Sequence, residues 1–151
     1  MAETFQLIAE KGPDGFYKGK VAQVGPPAEV YSRPASRCVA EFLGEANFIP
    51  AKATPARAGR VLTESPLGSI PGVGAVGQAV TAVVRPEQVR LKVGDGLPAE
   101  IKDLSFVGHH TRYSLRTGDL SILSLEAGSP TFRVGDRVGI AIEGDAAVVS
   151  D

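Results

Sequence analysis

The sequence predicts a mainly β protein, a small β-barrel or sandwich preceded by a short α-helical segment. The 151 residues include 18 glycines and 11 prolines spread along the chain, which implies many turns and short elements. From about residue 47 onward, short apolar or alternating runs are separated by turn signals roughly every ten residues, as in small barrels and sandwiches. A hydrophobic content of 43% is sufficient for a buried core.

The N-terminal part predicts short elements of both kinds. The apolar residues between Phe5 and Ile8 predict a short helix that the turn residues 12–15 (GPDG) end. Residues 20–24 then predict a short strand. A helical turn is expected over residues 27–31, since proline is well tolerated in the first turn of a helix.

A second short helix is predicted to begin at Pro34. Val39, Phe42 and Leu43 are three and four residues apart and therefore share one helix face. Gly44 is the expected C-terminal cap.

The remainder reads as strands. The run 78–85 (QAVTAVVR) is dominated by β-branched and small apolar residues, and residues 111–116 alternate between two faces. A turn and a second apolar run over 120–125 predict a hairpin with that strand. Alternation over 138–142 predicts a further strand, and 146–149 predicts the last one.

Composition excludes several classes of protein. A net charge of −1 argues against a nucleic-acid-binding protein, which would carry a basic patch or stripe. Cys38 is the only cysteine, so no disulfide can form within the chain, and a reducing cytoplasm is expected. No stretch approaches the roughly 20 apolar residues of a membrane span, so direct membrane insertion is not expected.

The motifs that suggest nucleotide or metal chemistry lack the required surroundings. Residues 72–77 (GVGAVG) precede a strand-like run, whereas a dinucleotide-binding loop must open a helix. Residues 15–20 (GFYKGK) are too short for a P-loop, and Val21 stands where a hydroxyl would hold magnesium. His109 and His110 are adjacent and would point to opposite faces of a strand. No catalytic residue, cofactor or metal ligand is predicted.

One long stretch carries a specific resemblance. Residues 19–50 (GKVAQVGPPAEVYSRPASRCVAEFLGEANFIP) resemble the end of the ATPase domain in ABC importers of the spermidine/putrescine, ferric-iron and maltose type. Cys38 departs from the phenylalanine usual in that family. The matching residues are Gly19, Lys20, Gln23, Gly25, Pro27, Glu29, Val30, Tyr31, Pro34, Val39, Ala40, Phe42, Leu43, Gly44 and Asn47.

Three shorter elements resemble the TOBE domain that follows such ATPase domains. Residues 84–89 (VRPEQV) are similar to its [IV]-R-P-E-x-[IV] element, and residues 106–113 to its [FY]-[LV]-G-x-x-x-x-Y element. Residues 134–138 (VGDRV) are similar to its G-[DE]-x-V element. The resemblance therefore covers the chain from Gly19 to its last residue.

The resemblance implies an OB-like TOBE barrel over residues 47–151, a remnant of the ATPase-domain C-terminus over 19–46 and an unassigned segment over 1–18. It implies a non-catalytic regulatory and dimerisation role, because the family's nucleotide-binding and hydrolysis motifs lie upstream of Gly19 and are missing here. The implied partners are a second copy, the ATPase domain and membrane permease subunits. The implied location is the cytoplasm, at the inner face of the membrane through a transporter complex.

A second hypothesis stays open, in which the barrel alone binds a small solute or an oxyanion. Arg85, Arg112 and Arg116 supply donors suited to anions, and His109, His110 and Arg112 form a candidate anion-binding edge. The candidate ligand residues are therefore Arg85, His109 and Arg112. Against this reading, Pro86 is expected to begin a single helical turn of purely structural meaning. An ATPase or transferase activity is disfavoured, because the residues for that chemistry are missing.

An interface is predicted on the second short helix. In the full-length family this helix packs onto ATPase-domain surface that the present chain lacks, so its apolar face is expected to promote association. The candidate interface residues are Val39, Phe42, Leu43 and Phe48.

Overall fold

A computed structural model describes residues 5–9 and 21–150 of the chain. Its contacts divide the chain into two compact units. Unit 1 contains the chain up to Val83 together with the segment from Asp145 onward, and unit 2 contains residues Val84–Gly144. Both units are built mainly from strands, so the predicted fold class is confirmed.

The first strands of unit 1 form a two-stranded antiparallel sheet. Strand β1 (Phe5–Ala9) pairs with β2 (Val21–Gly25), with Phe5 opposite Gly25. The strand expected over residues 20–24 is confirmed, whereas the helix expected over residues 5–8 is wrong. A short apolar run fits either structure, and here the backbone pairs with a neighbouring strand instead of with itself. The turn expected over residues 12–15 lies outside the described residues.

Two short helices follow, α1 (Pro27–Ser32) and α2 (Arg37–Leu43). Helix α1 begins with proline in its first turn, as predicted. Helix α2 begins three residues after Pro34, because Ser36 caps it: the Ser36 hydroxyl oxygen accepts a hydrogen bond from the backbone N–H of Val39 at 3.2 Å. Gly44 is the C-terminal cap, with a φ of 152°.

The remaining strands run from residue 47 to residue 149. Every strand predicted in this region is present, and the predicted turn at Pro86 is a single 3₁₀ turn, Pro86–Gln88. The strands are β3 (Asn47–Pro55), β4 (Val61–Ser65), β5 (Gly68–Gly74), β6 (Gly77–Val84), β7 (Val89–Lys92), β8 (Leu97–Val107), β9 (His110–Thr117), β10 (Leu120–Ala127), β11 (Arg137–Ile142) and β12 (Ala146–Val149).

Five of these strands close into a barrel in unit 1, in the order β12-β5-β4-β3-β6. The last strand, β12, lies parallel to β5 and antiparallel to β6, and it thereby closes the barrel. Its residues are all buried, as expected for a strand between two neighbours inside a core. The barrel agrees with the predicted OB-like architecture. Residues 72–77 lie at the β5–β6 connection, and a strand follows them, not a helix.

Unit 2 is a five-stranded sheet in the order β10-β9-β8-β11-β7. The predicted hairpin is its β9–β10 pair, with Thr117 opposite Leu120 and Gly118 in the turn at a φ of 58°. One face is buried around Tyr113. The two outer strands are linked by Ser124 of β10, whose buried hydroxyl donates to the Val89 carbonyl at 2.7 Å.

The chain leaves the barrel after β6 and returns to it as β12. Val83 of β6 lies opposite Ala147 of β12, so the exit and the return lie on neighbouring antiparallel strands. Within residues 5–9 and 21–150, neither helix has the length and apolar character that a membrane crossing requires.

Candidate functional site

Helix α2 carries three of the four predicted interface residues, and they differ in exposure. Val39 is 0% exposed and packs against Val30 of α1 inside unit 1. Leu43 is half-buried and packs against the same pair. Phe42 is 51% exposed. Of the predicted apolar face, Phe42 therefore presents the most surface to a partner.

The fourth residue, Phe48, is half-buried beside α2. It packs against a buried cluster that joins the helix to the barrel through Ala40 and Val83. The Arg37 guanidinium lies 4.4 Å from the centre of the Phe48 ring. Arg37 also pairs with Glu41 at 3.0 Å, one turn further along the helix. A cation over an exposed ring contributes about 0.5–1 kcal/mol, so these contacts order the helix surface more than they stabilise the fold.

The predicted ligand residue Arg85 is 4% exposed and begins the 3₁₀ turn. Two reciprocal hydrogen bonds fix this turn: the N–H of Arg85 donates to the Gln88 side-chain oxygen at 2.9 Å, and the N–H of Gln88 donates to the Arg85 carbonyl at 2.9 Å. The Gln88 side chain also donates to the Glu143 carbonyl at 3.0 Å. The R-P-E-Q segment is therefore a structural corner that joins the strand ends of unit 2.

The other two predicted ligand residues lie on or beside the β8–β9 hairpin. His109 is exposed in its turn, and its carbonyl accepts a hydrogen bond from the N–H of Gly128 at 2.7 Å. Arg112 is half-buried on β9, between Ser105 of β8 and Leu125 of β10. Arg85 therefore begins the 3₁₀ turn, His109 occupies a hairpin end and Arg112 lies in mid-sheet.

A pocket in unit 2 gathers charged residues that the sequence did not nominate as a set. It has a volume of about 270 Å³, and strands β8, β9 and β11 supply its charged side chains. Glu100 of β8 lies directly opposite Arg116 on one side and Arg137 on the other. Lys102 donates from Nζ to a Glu100 carboxylate oxygen at 2.8 Å. We refer to Glu100, Lys102, Arg116 and Arg137 as the basic pocket.

A wider groove lies in unit 1. It has a volume of about 630 Å³ and includes one lysine and one carboxylate, Lys52 and Glu64, which face each other across β3 and β4. The remainder of its lining is largely small or apolar. Among the described residues, no three His, Cys, Asp or Glu side chains come together as they would in a metal site.

The C-terminal part of the chain matches a known domain family. Residues 82–149, which comprise the end of β6, unit 2 and strand β12, match the TOBE domain family. The chain therefore contains a TOBE domain, as the V-R-P-E element and the two later elements predicted.

Most of the chain is also similar to import ATP-binding proteins of ABC transporters. It is 36% identical over 149 residues to the spermidine/putrescine import ATP-binding protein PotA of Pseudomonas fluorescens, covering 89% of this chain and 40% of the relative. It is 38% identical over 116 residues to the sulfate/thiosulfate import ATP-binding protein CysA 2 of Chromobacterium violaceum, covering 72% and 31%.

The Fe(3+) ions import ATP-binding protein FbpC 3 of Rhodococcus jostii is 32% identical over 135 residues, covering 85% of this chain and 38% of the relative. The chain thus spans about 40% of the length of the curated relatives it matches. The predicted resemblance to the TOBE-containing part of importer ATP-binding subunits is confirmed.

Proposed function

We propose that the chain is the regulatory and dimerisation part of an ABC-importer ATP-binding subunit, and that ATP is bound and hydrolysed by residues outside it. The similarity to import ATP-binding proteins carries this proposal, because it extends over 89% of this chain and only 40% of the relative. The sequence adds that neither glycine-rich stretch has the surroundings of a nucleotide-binding loop.

In such a subunit, residues 19–46 are the last part of the ATPase domain, and residues 47–151 are the regulatory domain. The partners are then the ATPase domain and the permease subunits of the importer, at the cytoplasmic face of the membrane. Helix α2 supports this arrangement, since it displays Phe42 to solvent at the position where the family helix meets the ATPase domain.

We further propose that two copies associate. An exposed aromatic side chain next to apolar surface is the kind of feature that drives association, since burying it removes apolar area from water. In the isolated chain, where no ATPase domain covers α2, Phe42 at 51% exposure and the half-buried Phe48 are the anchors of this interface, while Val39 supports it from within the chain.

The test is the molar mass of the purified chain by light scattering over a concentration series, together with an ATPase assay. A mass that rises to twice that of the chain, with no ATP hydrolysis above a buffer blank, is the expected result. A chain that stays monomeric at the highest concentration would contradict the dimerisation role. ATP hydrolysis that co-purifies with the chain, and that a substitution in the chain abolishes, would contradict the non-catalytic role.

The interface is tested separately by Phe42→Ser. We expect this variant to shift the monomer–dimer midpoint to higher concentration by about tenfold, which corresponds to the roughly 1.4 kcal/mol of one lost aromatic contact. Val76→Ser removes another exposed apolar residue of unit 1, 53% exposed, and is the matched control. Equal shifts in both variants, with unchanged circular dichroism, would place the interface elsewhere.

The alternative, a solute or oxyanion site at Arg85, His109 and Arg112, gains no support from their positions. Arg85 is 4% exposed at the start of a turn, and His109 lies in an exposed hairpin end.

A further inference from the structure

We propose that the groove of unit 1 binds a free α-amino acid with an apolar side chain, whose carboxylate contacts Lys52 and whose ammonium group contacts Glu64. This site is independent of the transporter role proposed above. It uses no residue of unit 2 and none of the ligand residues nominated from the sequence.

The groove lies at the ends of two strand ladders of the barrel. The pairing of β3 with β4 begins at Lys52, opposite Glu64, so residues 50 and 51 lie beyond this ladder. The pairing of β6 with β12 extends only to Thr81, so residues 78–80 lie beyond that ladder. All of these residues line the groove. The groove therefore occupies a part of the barrel wall that lies past both ladders.

One positive and one negative side chain line the groove without neutralising each other. Lys52 and Glu64 are exposed and directly opposite, a placement in which Cβ atoms are about 4.5–5.5 Å apart. Within residues 5–9 and 21–150, however, neither side chain makes a hydrogen bond or an ion pair. Both charges are therefore available to a ligand.

An α-amino acid carries the two complementary charges close together. Its ammonium and carboxylate groups are attached to the same carbon atom, so two long side chains that start from opposite positions of a ladder can reach both. Each contact is a charge-assisted hydrogen bond, which is stronger than a neutral one. The exposed Gln78 amide lines the same groove and can donate to the ligand carboxylate. A ligand with a single charge would leave either Lys52 or Glu64 unmatched.

The rest of the lining suits an apolar side chain. Pro50 and Pro66 have no N–H groups to hydrate, and Val80 adds aliphatic surface. The Ser65 hydroxyl is committed to the β4–β5 turn, where it donates to the Gly68 carbonyl at 3.0 Å. The groove volume of about 630 Å³ lies within the roughly 300–1,000 Å³ of small-molecule sites, which leaves room for a branched aliphatic group.

The experiment follows backbone amide chemical shifts of the whole chain during titration with L-leucine, at a constant ionic strength of about 0.15 M. We expect saturable shifts at residues 51, 52, 64, 65 and 78–81. Three analogues each remove one feature of leucine: 4-methylpentanoate lacks the ammonium group, 3-methylbutylamine lacks the carboxylate, and glycine lacks the side chain. Each should bind more weakly than leucine.

Substitutions test the two charges. Lys52→Gln and Glu64→Gln should each weaken leucine binding about fivefold, as expected for one partly solvated charge contact. Lys52→Glu or Glu64→Lys alone should abolish saturable binding. The two reversals combined should restore it, because a zwitterion can bind in the opposite orientation. Lys92→Gln, at an exposed lysine of unit 2 outside the groove, is the control and should leave binding unchanged.

The restored binding of the combined variant separates a charge effect from damage to the fold, which a second substitution would not repair. The proposal is overturned if the leucine shifts do not saturate, or if either singly charged analogue binds as tightly as leucine. It is also overturned if binding survives Lys52→Gln and Glu64→Gln unchanged. Equal binding of glycine and leucine would contradict the apolar part of the site.

Discussion

The two units close their sheets by different means. In unit 1 the last strand of the chain lies between β5 and β6, so main-chain hydrogen bonds complete the barrel. In unit 2 the outermost strands β10 and β7 are not paired with each other in the sheet order, and a hydroxyl, that of Ser124, reaches from one to the other. An ion pair between Arg90 of β7 and Glu126 of β10, at 3.6 Å, joins the same two strands. Backbone closure demands close approach of strands, whereas closure in unit 2 depends on side chains.

The two kinds of closure make the two units vulnerable to different substitutions. The barrel should be sensitive to any substitution that keeps β12 away from its neighbours, since several main-chain bonds depend on that approach. In unit 2 the outer strands β7 and β10 should loosen locally when the buried Ser124 hydroxyl is removed, because the Arg90–Glu126 pair that remains is partly exposed.

Gly74→Ala should destabilise the chain by about 3 kcal/mol or more, because the added Cβ meets the main chain of Val148 and the φ of 138° is unfavourable for alanine. Gly68→Ala separates the two causes, since Gly68 also has a positive φ, 98°, but has open space around its Cβ position. It should cost about 1–2 kcal/mol. Urea unfolding of both variants gives the comparison, and equal losses would mean that strand approach is unimportant.

Ser124→Ala and Thr63→Val remove two buried hydroxyls that each donate to a carbonyl at 2.7 Å, in unit 2 and in unit 1 respectively. Each should cost about 1–2 kcal/mol in global stability. Thr63 donates to Ile70, which already lies opposite it in the β4–β5 ladder, so the barrel should stay closed. Ser124→Ala should instead accelerate amide hydrogen exchange in β7 and β10.

Thr63→Val could instead raise amide exchange in β4 and β5 by as much as Ser124→Ala raises it in β7 and β10. That result would contradict the proposed difference between the two units. Exchange measured by mass spectrometry of proteolytic peptides has enough resolution to separate these strands.

Ser36→Ala tests a smaller contribution to unit 1. The variant loses the cap of α2 and should lower stability by about 1 kcal/mol or less. Ser36→Asp retains a capping oxygen and should restore most of the loss. A calorimetric melting curve measures both, and an unchanged melting temperature in Ser36→Ala would show that packing of Val39 alone holds the helix.

The smallest effect concerns the pH dependence of unit 2. The pKa of Glu100 is lowered from its usual 4.5, first by the hydrogen bond from Lys102 and then by nearby positive charge. Because the folded-state pKa is below the unfolded one, the contribution to stability is present above the unfolded pKa and is lost as pH falls through the folded pKa. Lys102→Gln should move the Glu100 pKa, followed by NMR titration, upward. An unchanged pKa of Glu100 in this variant would mean that Lys102 does not cause the lowering.

Local patterns predicted most strands but not their assembly. Alternation in 111–116 and the following turn identified the β9–β10 hairpin, because neighbouring residues determine that structure. The helix expected over residues 5–8 failed, since a run this short has no decisive period. The place of β12 beside β5 joins residues far apart in the chain, and nothing in the run AAVV specifies a parallel neighbour.

The candidate site was harder to predict from the sequence than the fold was. Lys102, Arg116 and Arg137 are scattered along the chain, and only strand register brings them around Glu100. The G-[DE]-x-V element contains Arg137, yet it was informative as a family landmark and not as chemistry. A regular register continued from the Val107–His110 end of this hairpin would place Ile101 opposite Arg116, and only the shift between Ile101 and Asp103 brings Glu100 there.

The pairing of Val83 with Ala147 has a consequence for how this protein can change over evolutionary time. A two-residue turn is sufficient to join two residues that face each other on antiparallel strands, so the circuit of five barrel strands does not depend on what lies between them. The segment between Val83 and Ala147 can therefore be replaced as a unit. Insertions, deletions or wholesale exchange there can alter the sheet of unit 2 while the order of the barrel strands is inherited unchanged.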